Sequence, residues 1–175
     1  LTIIYNLETK QKEKEVKDIL LDYYEGNIIY NKKESYFNNK NLGEFCDSAF
    51  IKNKNEILCI TKRSRDSIDN MLVSINQEKP NLWNRVYQSD NILTAVSVID
   101  NNLYIGEINF NTKQNYLTTN GQSYPIDNIV SIIYPLKGIP YFVSVQSILN
   151  GNKEAYYKIE DNRAIMIKDS DIKIY

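Results

Sequence analysis

One pattern recurs four times along this 175-residue chain: a short apolar run, a polar turn, and a second apolar run. Asn, Asp and Gly tolerate the positive φ angles that tight turns require, while Ile, Val, Tyr and Phe suit a pleated, half-buried surface. Each copy therefore predicts a β-hairpin. The copies occupy residues 18–30, 48–60, 95–105 and 130–143, with turns centred on Gly26, Lys54, Asn101 and Lys137.

A second pattern joins or follows these hairpins, in which an apolar strand leads into Asn and then into Thr, Glu or Lys. Residues 6–11 and 109–114 share the motif Asn-x-x-Thr-Lys-Gln, and residues 74–80 and 158–163 are looser copies. These segments predict second hairpins, which complete units of four strands. The predicted units cover residues 17–46, 47–90, 91–127 and 128–175.

The first twelve residues, Leu-Thr-Ile-Ile-Tyr-Asn-Leu-Glu-Thr-Lys-Gln-Lys, contain a strand ending in Tyr-Asn that is followed by Leu-x-Thr-Lys. This segment resembles the turn between the third and fourth strands of a blade in β-propeller proteins of the TolB-like and quinoprotein-like kind. The hairpin spacing of about 30 to 45 residues also lies in the range of propeller blades. The predicted fold is therefore all-β, with antiparallel repeated hairpins in a β-propeller-like arrangement of about four blades.

A chain of this length is expected to form a single domain over residues 1–175. Residues 10–16 are predicted as the outer strand of one further blade, whose other strands lie elsewhere. Pairing of residues 171–175 with the sheet that holds residues 1–5 would close the blades into a ring. The alternative is a fragment of a larger propeller, because four blades is the small end of the range.

Two segments also fit a helix. Residues 8–24 place Val16, Ile19, Leu20 and Tyr23 on one helical face, with Gly26 as the stop. That interpretation predicts an α+β adaptor, in which this helix packs on a sheet. Residues 64–72 are a second candidate for a helical turn or a loop.

Charge and composition exclude several classes of function. The chain has 21 basic and 22 acidic residues, so a net charge of -1 gives no general attraction to nucleic acid or to anionic lipid. No apolar run reaches the roughly 18 to 20 residues of a membrane-spanning helix, and we expect a soluble protein without membrane insertion. Histidine is absent, which excludes Ser-His-Asp and Cys-His catalysis and histidine-ligated metals. The sequence therefore predicts no cofactor and no metal, and it favours a non-enzymatic role.

The chain contains two cysteines, Cys46 and Cys59. If the second hairpin turns at Lys54, Cys59 lies opposite Ala49, and Cys46 lies opposite Lys62. The two thiols are then not a cross-strand pair, so a disulfide is disfavoured. We expect two buried, free thiols.

Two segments carry candidate binding residues. Alternation along a strand would place Trp83, Arg85 and Tyr87 on one face, where two aromatic rings and a guanidinium suit a sugar or a peptide. The opposing interpretation is that Trp83 packs between neighbouring blades. Arg63 and Arg65 belong to the densest basic cluster and would suit a phosphate, a sulfate or an acidic partner, unless they lie in a solvated loop.

These residues support two hypotheses of function. The first is a non-enzymatic binding or scaffold module that presents loops to a protein partner. The alternative is a carbohydrate-binding protein or part of a propeller glycosidase, with Trp83 for stacking and with Asp18 and Asp22 as the carboxylate pair.

Overall fold

The computed structural model describes residues 2–5, 9, 11–62, 70–80, 82–127, 129–136, 139–145, 154–160 and 163–167. The regular structure within these residues is entirely β-strand. The helix considered for residues 8–24 is absent from the described part of that segment, where two strands occur instead. The α+β alternative is therefore wrong, and the all-β prediction is confirmed.

Within the described ranges, eighteen strands form a short N-terminal hairpin and four antiparallel sheets of four strands each, and every sheet uses consecutive strands. The N-terminal hairpin comprises β1 (Thr2–Tyr5) and β2 (Lys12–Val16). The first sheet comprises β3 (Ile19–Tyr24), β4 (Asn27–Asn31), β5 (Ser35–Phe37) and β6 (Lys40–Asn41). The second sheet comprises β7 (Ser48–Asn53), β8 (Glu56–Lys62), β9 (Asn70–Asn76) and β10 (Trp83–Gln88).

The third sheet comprises β11 (Ile92–Ile99), β12 (Asn102–Ile108), β13 (Asn115–Thr119) and β14 (Gln122–Ile126). The fourth sheet comprises β15 (Val130–Leu136), β16 (Ile139–Val145), β17 (Glu154–Glu160) and β18 (Arg163–Ile167). The four predicted hairpins are confirmed as the first two strands of these sheets. The predicted four-strand units also match the four sheets.

The turn chemistry explains the hairpins. Glu25 and Gly26 have φ angles of 46° and 80°, and Asp100 and Asn101 have φ angles of 50° and 63°. Positive φ at both central residues gives a two-residue turn whose twist matches that of the flanking strands. The predicted turn at Lys137 lies outside the described residues.

The sheets pack face to face in chain order. The first and second sheets enclose Phe37 and Val73, and the second and third sheets enclose Leu72 and Ile105. The third and fourth sheets enclose a further core that includes Val130. The second and third sheets therefore pack on both faces, and their strands β8, β9, β11 and β12 are largely buried.

The N-terminal hairpin covers the outer face of the first sheet, where Val16 packs with Ile28 and Tyr30. Residues 10–16 were expected to belong to a blade whose other strands lie elsewhere. Within the described residues, β2 pairs with β1. The predicted terminal strand at residues 171–175 lies outside the described residues.

Polar side chains connect successive sheets. The Asp22 carboxylate in the first sheet accepts a hydrogen bond from the Ile51 backbone N–H in the second sheet, at 2.7 Å. The Asn70 side chain in the second sheet both donates to and accepts from the Leu93 backbone in the third, at 2.8 Å each way. The Thr94 hydroxyl in the third sheet donates to the backbone carbonyl of Val130, the first residue of β15 in the fourth sheet, at 2.7 Å. These contacts satisfy buried backbone groups that stacking would otherwise leave unpaired.

The third and fourth sheets approach closely at Gly106. A Cβ atom at this position would lie 2.6 Å from the Thr94 hydroxyl oxygen and 2.7 Å from Cβ of Val130. Only glycine therefore fits the observed separation of these strands.

Cys46 and Cys59 form a disulfide, with their Cα atoms 5.4 Å apart and both residues fully buried. The prediction of two free thiols is therefore wrong. The predicted pairing of Ala49 with Cys59 is confirmed, but β7 begins only at Ser48. The pairing of Cys46 with Lys62 was predicted by extending the β7–β8 register backwards. Cys46 lies before β7, where that register no longer applies.

Candidate binding cleft

An open cleft of about 690 Å³ lies between the first and second sheets. Its lining comes from the turn between β4 and β5, from the connection between β6 and β7, and from residues of β8, β9 and β10. We call this depression the cleft.

Two exposed aromatic side chains line the cleft. Phe45 lies in the segment between β6 and β7 and is 45% exposed, and Trp83 begins β10 and is 39% exposed. Trp83 therefore does not fill a tight core between sheets, which was the opposing interpretation of this residue. The two rings provide an apolar surface that a ligand would desolvate.

Charged groups of both signs surround the rings. Lys33 and Lys62 line the cleft together with Glu34, Glu44 and Asp47. The Glu34 carboxylate accepts a hydrogen bond from the Asn41 amide. Burial raises the pKa of Asp47 above its usual range, and the positive charge of Lys62 opposes this effect. The cleft therefore offers fixed acceptors and lysine donors around an aromatic centre.

Trp83 and Arg85 lie on one face of β10, but Tyr87 lies on the other. Arg85 pairs with Val73 and Tyr87 pairs with Leu72, so a β-bulge at Val86 separates them. Directly paired residues share a face. Trp83 and Arg85 consequently face the first sheet, while Tyr87 packs into the core between the second and third sheets. The predicted three-residue surface is therefore wrong for Tyr87, because a bulge reverses the alternation.

Tyr87 instead belongs to a buried polar cluster that the sequence did not reveal. Its hydroxyl donates to the Glu107 carboxylate at 2.9 Å, and Ser89 and Asn91 also donate to it, at 2.8 and 3.1 Å. Glu107 is 1% exposed. Burial and the hydrogen bond to Glu107 raise the pKa of Tyr87 to about 12.

This cluster connects the second sheet to the third, because Glu107 is on β12 and its three donors are on or just after β10. The donors are neutral and fill the carboxylate's acceptor positions, which suits a structural connection. The sequence feature that could have indicated this cluster is Glu107, a single carboxylate within the apolar strand Leu-Tyr-Ile-Gly-Glu-Ile.

The other predicted site residues have separate outcomes. Arg63 and Arg65 lie outside the described residues, although Lys62, which precedes them, lines the cleft. Asp18 forms an ion pair with Lys32 at 3.5 Å. Asp22 is held by the Ile51 backbone N–H, and burial raises its pKa. These two carboxylates thus have separate structural partners.

The described residues contain no group of three or more acidic or cysteine side chains arranged to hold a metal ion. They also contain no helix of the length and apolar character needed to cross a membrane.

No protein family model and no curated protein matches this chain. Among solved structures, it is similar to a chain from a structural and mechanistic analysis of two prolyl endopeptidases, with 12% sequence identity and a TM-score of 0.47. The match covers 81% of this chain and 22% of that chain, so this chain spans about a fifth of the other's length. At this similarity, we draw no conclusion about fold or activity from it.

Proposed function

We propose that this protein is a non-enzymatic binding module that engages a protein partner through the cleft between its first and second sheets. The observation that carries the proposal is that two exposed rings, Phe45 and Trp83, line the same cleft. Aromatic side chains that are uncovered in the free protein and flanked by charge are typical of protein-binding hot spots.

We further propose that the four sheets are blades of a β-propeller-like domain. Two features support this. Each sheet is a four-stranded antiparallel meander, and the first strands of successive sheets contact one another. A small cavity of about 110 Å³ is lined by residues from all four first strands: Leu21, Ser48, Ala95 and Ile133 are among them. Such convergence is expected of innermost strands around an axis.

The basic cluster that follows β8 supports an acidic partner. Lys62 lines the cleft, and Arg63 and Arg65 follow it directly in the sequence. Arginine and lysine groups at the rim of an interface steer a partner of opposite charge and help to select it.

A carbohydrate ligand is the second candidate. It is favoured by the combination of an exposed indole with the Glu34, Glu44 and Asp47 carboxylates in one cleft. An aromatic face can stack on the apolar side of a sugar ring, and carboxylates can accept hydrogen bonds from its hydroxyl groups.

Site-specific photocrosslinking tests the proposal. A photoreactive amino acid replaces Trp83 in the full chain, and the protein is irradiated in an extract of its source. We expect a discrete covalent adduct with one protein, identified by mass spectrometry. The same group at Lys113, an exposed residue in the turn between β12 and β13, serves as the matched control.

The adduct should disappear when the Phe45→Ala substitution is added, because Phe45 is the other exposed ring that lines the cleft. Glycan binding that depends on Trp83, together with no protein adduct at position 83, would favour the carbohydrate candidate. Equal crosslinking at positions 83 and 113 would contradict both candidates.

A further inference from the structure

The outer strand of the second sheet has an exposed edge. Among the described strands, β10 pairs with β9 alone and is the last strand in its sheet. Five of its six residues are exposed, and the apolar side chains of Trp83 and Val86 are 39% and 44% exposed. Leu82, directly before the strand, is 67% exposed. An edge of this kind carries unpaired backbone N–H and C=O groups beside apolar side chains.

The outer strands of the first and third sheets lack these properties. β6 has two residues, one of which is a lysine. β14 contains Pro125, which has no N–H to donate, and it also contacts β18. Short length, lysine, proline, coverage and β-bulges are the usual protections of an edge strand. Of these, β10 has only the bulge at Val86, and its one charged residue is Arg85.

The charges near β10 indicate what would cover it. Arg85 faces the first sheet and donates to the neutral Gln88 side chain at 2.7 Å. Among the described residues, neither Arg85 nor Lys33 forms an ion pair with a carboxylate. Lys33 lines the cleft together with the Glu34, Glu44 and Asp47 carboxylates, whereas Arg85 is not a cleft residue. A carboxylate on a bound chain would therefore pair with Arg85.

We infer that an extended, acidic segment of the partner protein adds to β10 as a fifth strand of the second sheet. Backbone hydrogen bonds to β10 hold the segment whatever its sequence, since an extended polypeptide complements the unpaired N–H and C=O groups. Alternate side chains of the segment lie on the face that carries Trp83 and Arg85, where an apolar residue contacts Trp83 and an acidic residue pairs with Arg85. This inference rests on the proposed function and specifies how the partner binds.

A displayed library of random peptides of about 12 residues, long enough to extend along the strand, provides the probe. Peptides are selected on the full chain, synthesised, and titrated into isotopically labelled protein. Amide hydrogen exchange is then measured by NMR. We expect the selected peptides to contain Asp or Glu among alternating apolar residues and to slow exchange at β10 amides.

Two variants test whether the edge itself is used. Val86→Glu adds a charge to the edge that also repels an acidic segment, and Val86→Pro removes a backbone donor. Each should weaken binding by at least about tenfold, or about 1.4 kcal/mol. The matched control is Gln122→Glu on β14, which should leave the affinity unchanged. Circular dichroism confirms folding, and Val86→Glu provides the test if Val86→Pro does not fold.

The inference is overturned if the selection yields no binder, if binders leave β10 exchange unchanged, or if they tolerate Val86→Glu. These results are separate from the test of the proposed function. A protein that crosslinks at position 83 without slowing exchange at β10 would retain the cleft as the binding site and reject strand addition. Loss of both signals would reject both proposals.

Discussion

Removal of the Cys46–Cys59 disulfide should cost this protein a large share of its stability. The bond joins residues separated by 13 positions and closes a loop that includes β7 and its turn into β8. In the chain-entropy treatment, a closed loop of about 14 residues restricts the unfolded chain by about 10 cal/mol/K, which corresponds to about 3 kcal/mol at 25 °C. Both residues are fully buried, so alanine substitution also removes core contacts.

This magnitude converts into a measurable shift in melting temperature. An unfolding entropy of about 2.1 cal/mol/K per residue gives about 0.37 kcal/mol/K for a chain of this length. A loss of about 3 kcal/mol therefore lowers Tm by about 8 °C. Calorimetry or circular dichroism on wild type, Cys46→Ala, Cys59→Ala and the double variant measures it.

The double-mutant cycle separates a covalent bond from two buried thiols. If the disulfide is present, either single substitution removes all of the crosslink, and the second adds only a small packing loss. The expected coupling is then about 3 kcal/mol. Additive single effects, together with two titratable thiols in the unreduced, denatured wild type, would refute the reasoning.

Three further predictions concern the contacts between sheets. Tyr87→Phe removes a hydrogen bond to Glu107 and should cost about 1.5 to 3 kcal/mol in urea unfolding. Because the pKa of Tyr87 is raised from 10 to about 12, its share of stability is present below pH 10 and lost as pH rises through 12. An unchanged alkaline stability profile in the variant would contradict this. Burial likewise raises the pKa of Asp22 above 3.8. The wild type should therefore lose stability, relative to Asp22→Asn, as pH rises from 3.8 through the folded-state pKa. A difference in unfolding free energy between the two proteins that stays constant from pH 3.5 to about 6 would argue against this. Gly106→Ala should destabilise by about 1 to 3 kcal/mol, because its Cβ would overlap Val130, and an unaltered thermal melt would show that the strands can separate at no cost.

The repeated hairpins were predictable because their information is local. Two-residue turns such as Asp100–Asn101 are encoded by the residues that adopt positive φ, and the flanking strands follow from alternation and β-branched side chains. The four-strand grouping followed from the same signals. None of this required knowledge of which sheets pack together.

The errors arose where tertiary contacts override a strand register. The bulge at Val86 inserts one residue, and no turn residue or glycine marks it in the sequence. The register of the second hairpin was extended to Cys46, which lies two residues before β7 begins. Trp83 was selected as a candidate binding residue and lines the cleft, but Phe45, which also lines it, was missed because it lies in an irregular connection that no residue pattern marks.

The disulfide lies beside the cleft, because Cys46 is between the cleft residues Phe45 and Asp47. After β6, Gly43 has a φ of 72°, which turns the chain away from the sheet, and the buried Cys46 fixes where that turn leads. This path places Phe45 directly before the bonded cysteine. Loss of the disulfide should therefore weaken partner binding at temperatures where the variant is still folded, because Phe45 loses its anchor. Unchanged affinity in a folded Cys46→Ala/Cys59→Ala variant would show that the hydrogen bond from the Ser35 N–H to the Glu44 carbonyl, at 2.9 Å, is enough to hold this wall of the cleft.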